Sequence, residues 1–226
     1  MQKYFLKEIN RIITGNDYHH IKNVMRMKTG DFIIVSSESV SYKAKITAIT
    51  DYVEYEIVEK LEPPNEPNIT LIQGLPKGSK TDFILKYATC FGVTRVILVE
   101  MERSVAKLAN VDAKLKRYES IVKEASELAH RSSIPKVEMT KGISSIDLSA
   151  FDVVLLADEE EKINRIKSFE VDISNKNIAV IVGPEGGIDE KLRKFLKDRA
   201  ISVSLGSNIL PTESAVLYML SALNEK

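Results

Sequence analysis

Between Phe5 and Lys60 apolar and polar positions alternate in short runs: Asp31-Phe-Ile-Ile-Val35, Tyr42-Lys-Ala-Lys-Ile-Thr-Ala-Ile49 and Val53-Glu-Tyr-Glu-Ile-Val58. A period of two predicts strands with one buried face. Thr29-Gly30-Asp31 supplies a turn before the first run, and so short a stretch has room only for a small barrel-like sheet. Pro63-Pro-Asn-Glu-Pro67 then breaks the rhythm, because prolines cannot donate to a ladder and favour an extended segment. A domain boundary is expected there, giving domains 1–66 and 67–226. Beyond it the apolar runs Ile69–Ile72, Val96–Val99, Val153–Leu156, Ile178–Val182 and Ile201–Leu205 suit strands covered on both faces. Between them, Val111 to Arg131 spaces Leu115, Tyr118, Val122, Ala125 and Ala129 three or four apart, the signature of a helix with one buried stripe. Asp189–Lys197 and Glu213–Leu223 read the same way. The alternation predicts an α/β domain with a mainly parallel sheet and helices on both sides, whose ligands bind beyond the carboxyl ends of the strands.

Composition narrows this picture. The 226 residues are 44% hydrophobic, enough for a substantial core, which excludes a disordered or fibrous chain. Lysine plus arginine number 32 against 32 aspartate plus glutamate, which argues against wholesale coating of nucleic acid but leaves room for a local basic face. Residues 1–45 hold eight basic against four acidic residues, while 46–66 hold one against six. One cysteine and three histidines cannot make a disulfide or a structural zinc cage. A cytoplasmic protein without a metal is expected. No run approaches the ~18 apolar residues of a membrane span, so no membrane association is expected.

Three loops carry candidate chemistry. Gly74-Leu-Pro-Lys-Gly-Ser79-Lys80-Thr81 falls one residue short of a P-loop. Asp158, at the end of an apolar run, is a candidate magnesium-holding acid for a nucleotide hydrolase. Against this, Ser79 stands where a glycine must let the backbone wrap phosphates, and an ordinary strand-to-helix connection is the competing reading. Val182-Gly183-Pro-Glu-Gly-Gly187 is side-chain-poor, so a ligand can approach its backbone closely. It is matched by Leu205-Gly206-Ser-Asn-Ile-Leu-Pro211-Thr212-Glu213 before the last helix. That helix is apolar nearly all round, which points to a partner subunit as well as its own domain.

The pairing of Gly183-Pro-Glu-Gly-Gly187 with Leu205-Gly-x-x-Ile-Leu-x-Thr-Glu213 resembles the ribosomal RNA small subunit methyltransferase E family of the SPOUT superfamily. The likeness runs along the whole chain. His20-Ile-x-x-Val24-Met-Arg26-Met-Lys-x-Gly30-Asp31 resembles the family's amino-terminal PUA-like RNA-binding barrel. Lys86-x-Ala88-Thr89-x-x-Gly92-Val93, Glu102-Arg103-Ser104 and Glu124-Ala125-x-Glu127-x-x-x-Arg131-x-x-x-Pro135 follow in the family's order. The resemblance implies a carboxyl-terminal trefoil knot, a homodimer, and transfer of a methyl from S-adenosylmethionine to N3 of a uridine in 16S rRNA.

Carried across, the cofactor loops are Leu156-Ala157-Asp158, Val182-Gly183-Pro184-Glu185-Gly186-Gly187, and Leu205-Gly206 with Ile209-Leu210-Pro211-Thr212. Leu156, Leu205, Ile209 and Leu210 are the expected cover for the adenine. Arg131 is the candidate stabiliser of negative charge on the uracil. Glu185 and Glu213 are candidate proton acceptors, or caps of the helices they precede. Lys3, Lys7, Arg11, Lys22, Arg26 and Lys28, with Arg103, are the candidate RNA contacts. The chain departs from the family at Cys90-Phe91, at Leu128 and at Pro211, where the family carries Glu-Leu, Gln and Arg. Proline donates nothing where a guanidinium donates a fork, so Arg131 and Arg103 are expected to replace the missing cation. A knotted RNA-binding protein without catalysis is the alternative reading, and a nucleotide hydrolase is the next.

Overall fold

The computed structural model describes residues 1–38, 40–62, 67–166 and 175–224. Residues 63–66 of the proline-rich stretch, which carries the expected boundary, lie outside the described residues. The chain divides into two compact units, Met1–Asn65 with Ser126–Ser133, and Glu66–Ala125 with Ile134–Lys226.

The first unit is a five-stranded mixed sheet formed by β1 (Gln2–Phe5), β2 (Ile12–Ile13), β3 (Phe32–Ser37), β4 (Val40–Ile49) and β5 (Val53–Leu61). Its order is β1-β3-β4-β5-β2. β1 lies parallel to β3, and the other pairs are antiparallel. The three alternating runs form β3 to β5, whereas β1 and β2 are too short to leave a period in the sequence. A short helix α1 (Gly15–His19) passes into a π-turn over His20–Val24. Tyr4, Ile13, Ile21, Ile33, Val35, Ala44, Ile46, Val53 and Tyr55 close one core.

The second unit is a six-stranded, wholly parallel sheet. It contains β6 (Asn68–Gly74), β7 (Val93–Glu100), β8 (Lys136–Lys141), β9 (Val153–Ala157), β10 (Asn177–Val182) and β11 (Ile201–Val203), in the order β11-β9-β10-β6-β7-β8. β8 escapes the sequence pattern because it is an edge strand with Val137 as its one buried residue. Helices α2 (Lys80–Cys90), α3 (Val111–Leu128) and α4 (Glu190–Leu196) connect strands, and α5 (Thr212–Asn224) follows the last of them. Alternate residues of β6, β7, β9 and β10 feed two cores. Ile178, Val180 and Val182 join α2, α3 and α5, while Ala179 and Ile181 join α4. Burial on both faces explains the unbroken apolar runs.

Candidate functional site

The register of the parallel sheet sets the site. Val203 pairs with Ala157, Ala157 with Val182, Val182 with Gln73, and Gln73 with Leu98. Strands β11, β9, β10 and β6 therefore finish in one row, and the loops that follow leave from the same edge. They surround a cleft of about 530 Å³, within the usual range for small-molecule sites. Lys80, Ala157, Asp158, Glu159, Lys162, the segments 182–187 and 204–212, and Ala215 line it.

Of the residues expected to hold a cofactor, Ala157, Asp158, Val182, Gly183, Pro184, Glu185, Gly186, Gly187, Leu205, Gly206, Ile209, Leu210, Pro211 and Thr212 all line this cleft. Leu156 does not. Strand alternation turns it to the α4 face, where it is 1% exposed and packs with Val154 and Ile181. Its expected place over an adenine is corrected to a place in the core. Ile209, by contrast, is 84% exposed, an apolar side chain standing bare at a cleft.

Four residues fix the Gly-rich loop. Gln73 Nε2 donates to the carbonyls of Gly74 (2.7 Å) and Gly183 (3.2 Å) and to Thr212 Oγ1 (2.9 Å), and Thr212 Oγ1 donates to Gly183 O (2.6 Å). The Arg103 guanidinium donates to the carbonyls of Gly186 (3.2 Å) and Ile188 (3.3 Å). Glu159 Oε1 accepts from Ile188 N (3.3 Å). Only glycine fits at 186, since a Cβ there would lie 2.7 Å from Arg103 O. Gly206 differs: its φ is +127° and nothing of the protein lies within 4 Å of where a Cβ would be. Its backbone thus faces open space at the cleft.

The charged groups form two clusters. Asp158, 7% exposed, pairs with Arg193 and accepts from Glu160 N (2.9 Å) and Ser202 Oγ (3.3 Å). Arg193 also reaches Glu160 at 3.2 Å and Glu159 at 3.7 Å. On the other side Lys80 Nζ lies 3.0 Å from Glu213 Oε2 and 3.7 Å from Glu185 Oε1, which accepts from Lys77 N at 3.0 Å. Burial pushes the Glu213 carboxyl up, but its own backbone amide and the Lys80 ammonium outweigh that and hold it below the usual carboxylate range. These contacts answer the P-loop reading. A protein carboxylate occupies the amide and lysine that would cradle phosphate, and an arginine occupies the acid that would hold magnesium.

Arg131 belongs to the first unit, is 3% exposed and is not among the residues lining the cleft. Arg103, expected at RNA, has its guanidinium on loop carbonyls instead. In the first unit Lys7, Arg11, Lys22, Arg26 and Lys28 are exposed. Lys22 leans on the Tyr18 ring and donates to Thr50 O at 2.8 Å. Lys3 is a correction: it is 4% exposed and donates to Ser41 Oγ at 3.0 Å, so it is no phosphate contact. Gln73, Glu159 and Arg193 are functional residues that no sequence motif marks. The one signal for Gln73 was a polar residue closing the apolar run Ile69–Ile72.

A family model described as an RNA methyltransferase domain matches residues 63–224, and one described as an RNA methyltransferase PUA domain matches residues 13–53. The ribosomal RNA small subunit methyltransferase E of Bacillus subtilis is 32% identical over 99% of this chain and 96% of its own length. That of Aquifex aeolicus is 33% identical over 76% and 75%. The crystal structure of the Neisseria gonorrhoeae protein of the same name, bound to S-adenosyl methionine, superposes with a TM-score of 0.85 at 25% identity, covering 100% of this chain and 97% of that one. With the site already assembled from three loops at one sheet edge, these matches show that the chain belongs to the ribosomal RNA small subunit methyltransferase E family.

Proposed function

We propose that this protein transfers the methyl of S-adenosylmethionine to N3 of a uridine in the 16S rRNA of the small ribosomal subunit. The observation that carries the reading is the row Val203, Ala157, Val182 and Gln73, which opens three cofactor-type loops onto one cleft. The residues present suit that cofactor. Gly206 leaves bare backbone and open space for it, Leu205, Ile209 and Leu210 offer an apolar cover for its adenine, and carboxylates and backbone groups offer polar contacts. When bound, it supplies an electrophilic methyl on a sulfonium, chemistry that calls for no metal.

The protein must then align uridine N3, let its proton leave and hold the charge that spreads over the uracil oxygens. Glu213 is a weakened base for that proton, because its own backbone amide and Lys80 hold its carboxyl below the usual range, and Glu185 Oε1 is engaged by Lys77 N. They act as holders of charge and loop geometry. Lys7, Arg11, Lys22, Arg26 and Lys28 hold phosphates of the RNA. All five strands of the first unit feed one core, which supports a curled, PUA-like barrel. The return of segments 204–212 and 157–166 to the same edge as 183–188 supports a trefoil knot, with a homodimer completing the enzyme in a reducing cytoplasm.

The test is incubation with methyl-labelled S-adenosylmethionine and small-subunit RNA or particles lacking the modification, followed by mapping of the label. Label at uridine N3 is expected. Cofactor bound without transfer to either substrate would leave a non-catalytic RNA-binding protein.

A further inference from the structure

The cleft needs a cation to hold charge on a uracil, and the two arginines that sequence reasoning offered are elsewhere. Arg103 donates to Gly186 and Ile188 carbonyls, and Arg131 does not line the cleft. The cations that do line it, among the described residues, are Lys80 and Lys162. Lys162 donates to the carbonyl of Glu159, three residues before it (2.7 Å). Lys80 is held quite differently. It opens α2 after the loop that follows β6, and carboxylates from two other segments pair with it, Glu213 of α5 at 3.0 Å and Glu185 of the Gly-rich loop at 3.7 Å. Glu185 is itself anchored on Lys77 N at 3.0 Å. The two carboxylates hold the ammonium by charge from two sides, and its three N–H donors can still turn toward a ligand in the cleft.

Resting on the uridine reading above, we infer that Lys80 is the catalytic cation of this enzyme, donating a hydrogen bond to a uracil oxygen next to N3 while Glu213 and Glu185 hold it in place. N3 gives its proton to water, and a cation at the adjacent oxygen favours the anion that remains, so it lowers the pH at which N3 becomes nucleophilic; N3 then bonds the methyl carbon as the carbon–sulfur bond breaks, its electron pair staying on sulfur. The charged groups around Lys80 are Glu213, from α5, and Glu185, from the loop after β10. Both are carboxylates that keep it protonated.

The experiment begins with a small-subunit RNA fragment that the unaltered protein methylates, since failure at that stage overturns the uridine reading itself. Losing one charge-assisted contact should make Lys80→Met slower by roughly ten- to a hundredfold near neutral pH, with S-adenosylmethionine affinity by calorimetry little changed. The pH profile of transfer should move alkaline by about one to two units, and Lys80→Arg should recover most of the rate. A direct reading comes from the same fragment with 5-fluorouridine at the target, whose fluorine resonance reports N3 ionisation without any methyl transfer. Its titration in the bound RNA should lie lower with the unaltered protein than with Lys80→Met. Glu213→Gln should cost less than Lys80→Met. An unmoved fluorine titration, or Glu213→Gln as the more damaging change, would overturn the assignment.

Discussion

Thr212 donates its hydroxyl proton to the carbonyl of Gly183 at 2.6 Å, binding the first residue of the last helix to the first residue of the Gly-rich loop. Gln73 reaches both from the central strand. Because Thr212 and Gln73 are 5% and 0% exposed, water cannot replace a lost partner. Thr212→Val should therefore cost about 1–2 kcal/mol, and Gln73→Leu, which removes two N–H donors shared among three acceptors, about 2–4 kcal/mol. Urea unfolding measures both. Equal stability of all three proteins would show that the staple carries no energy.

Gly186 and Gly206 line the same cleft but should fail for different reasons. A Cβ at 186 meets the Arg103 carbonyl, and overpacking of that kind costs about 1–3 kcal/mol of stability. At 206 a Cβ meets no protein atom, so Gly206→Val should weaken S-adenosylmethionine binding by more than its backbone strain weakens folding. Calorimetry beside thermal unfolding separates the two. A Gly206→Val protein with unaltered affinity would remove this loop from the cofactor site.

Arg26 and Lys3 carry the same formal charge in opposite settings. If the proposed RNA face is right, the exposed Arg26 meets a phosphate, and Arg26→Ala should weaken RNA binding and lower its salt slope by about 0.7–0.9. Lys3 is buried against Ser41 and the Phe5 ring. Lys3→Ala should leave the salt slope alone and lower stability instead. Filter binding at several salt concentrations distinguishes them.

Burial, followed by the charges of Asp17 and Glu127, pushes the Tyr4 phenol far above its ordinary value near 10, and its hydroxyl lies 3.0 Å from His20 Nδ1. A raised phenol keeps its proton in the folded state while the unfolded chain gives its own up. The sign is fixed: the stability is fully present below the ordinary phenol range and is lost above it, at up to about 1.4 kcal/mol per pH unit. Tyr4→Phe should flatten that alkaline decline, at the expense of the bond to His20. An identical decline in Tyr4→Phe would assign it to other groups.

Where these residues were legible in the sequence, a physical period or a backbone demand made them so. Four strands of the parallel sheet announce themselves because both faces are apolar, the edge strand β11 through alternating Ile201, Val203 and Leu205, and the Gly-rich loop because glycine is scarce elsewhere. Lys3 misled because charge was counted without the inward turn that β1 gives it. Leu156 misled because one residue of strand separates the cleft face from the α4 face, and a motif does not say which side its members take. Gln73, Glu159 and Arg193 act through partners 29 to 139 positions away or through short polar contacts, which no local pattern encodes. Lys80 was visible only as part of a failed phosphate loop, since its partners lie in two later segments.

The segment 126–133, counted with the amino-terminal unit, has a consequence for how this protein can be cut and recombined. Phe5 N donates to Glu127 Oε1 at 3.2 Å, so the amino-terminal fold is finished only when the chain has run through two strands, one helix and most of a second. A fragment ending near residue 66 would emerge from the ribosome without its last piece. The unit is therefore not a cassette that a gene fusion can lend to another protein, and the order of synthesis obliges it to wait for a stretch translated some sixty residues later.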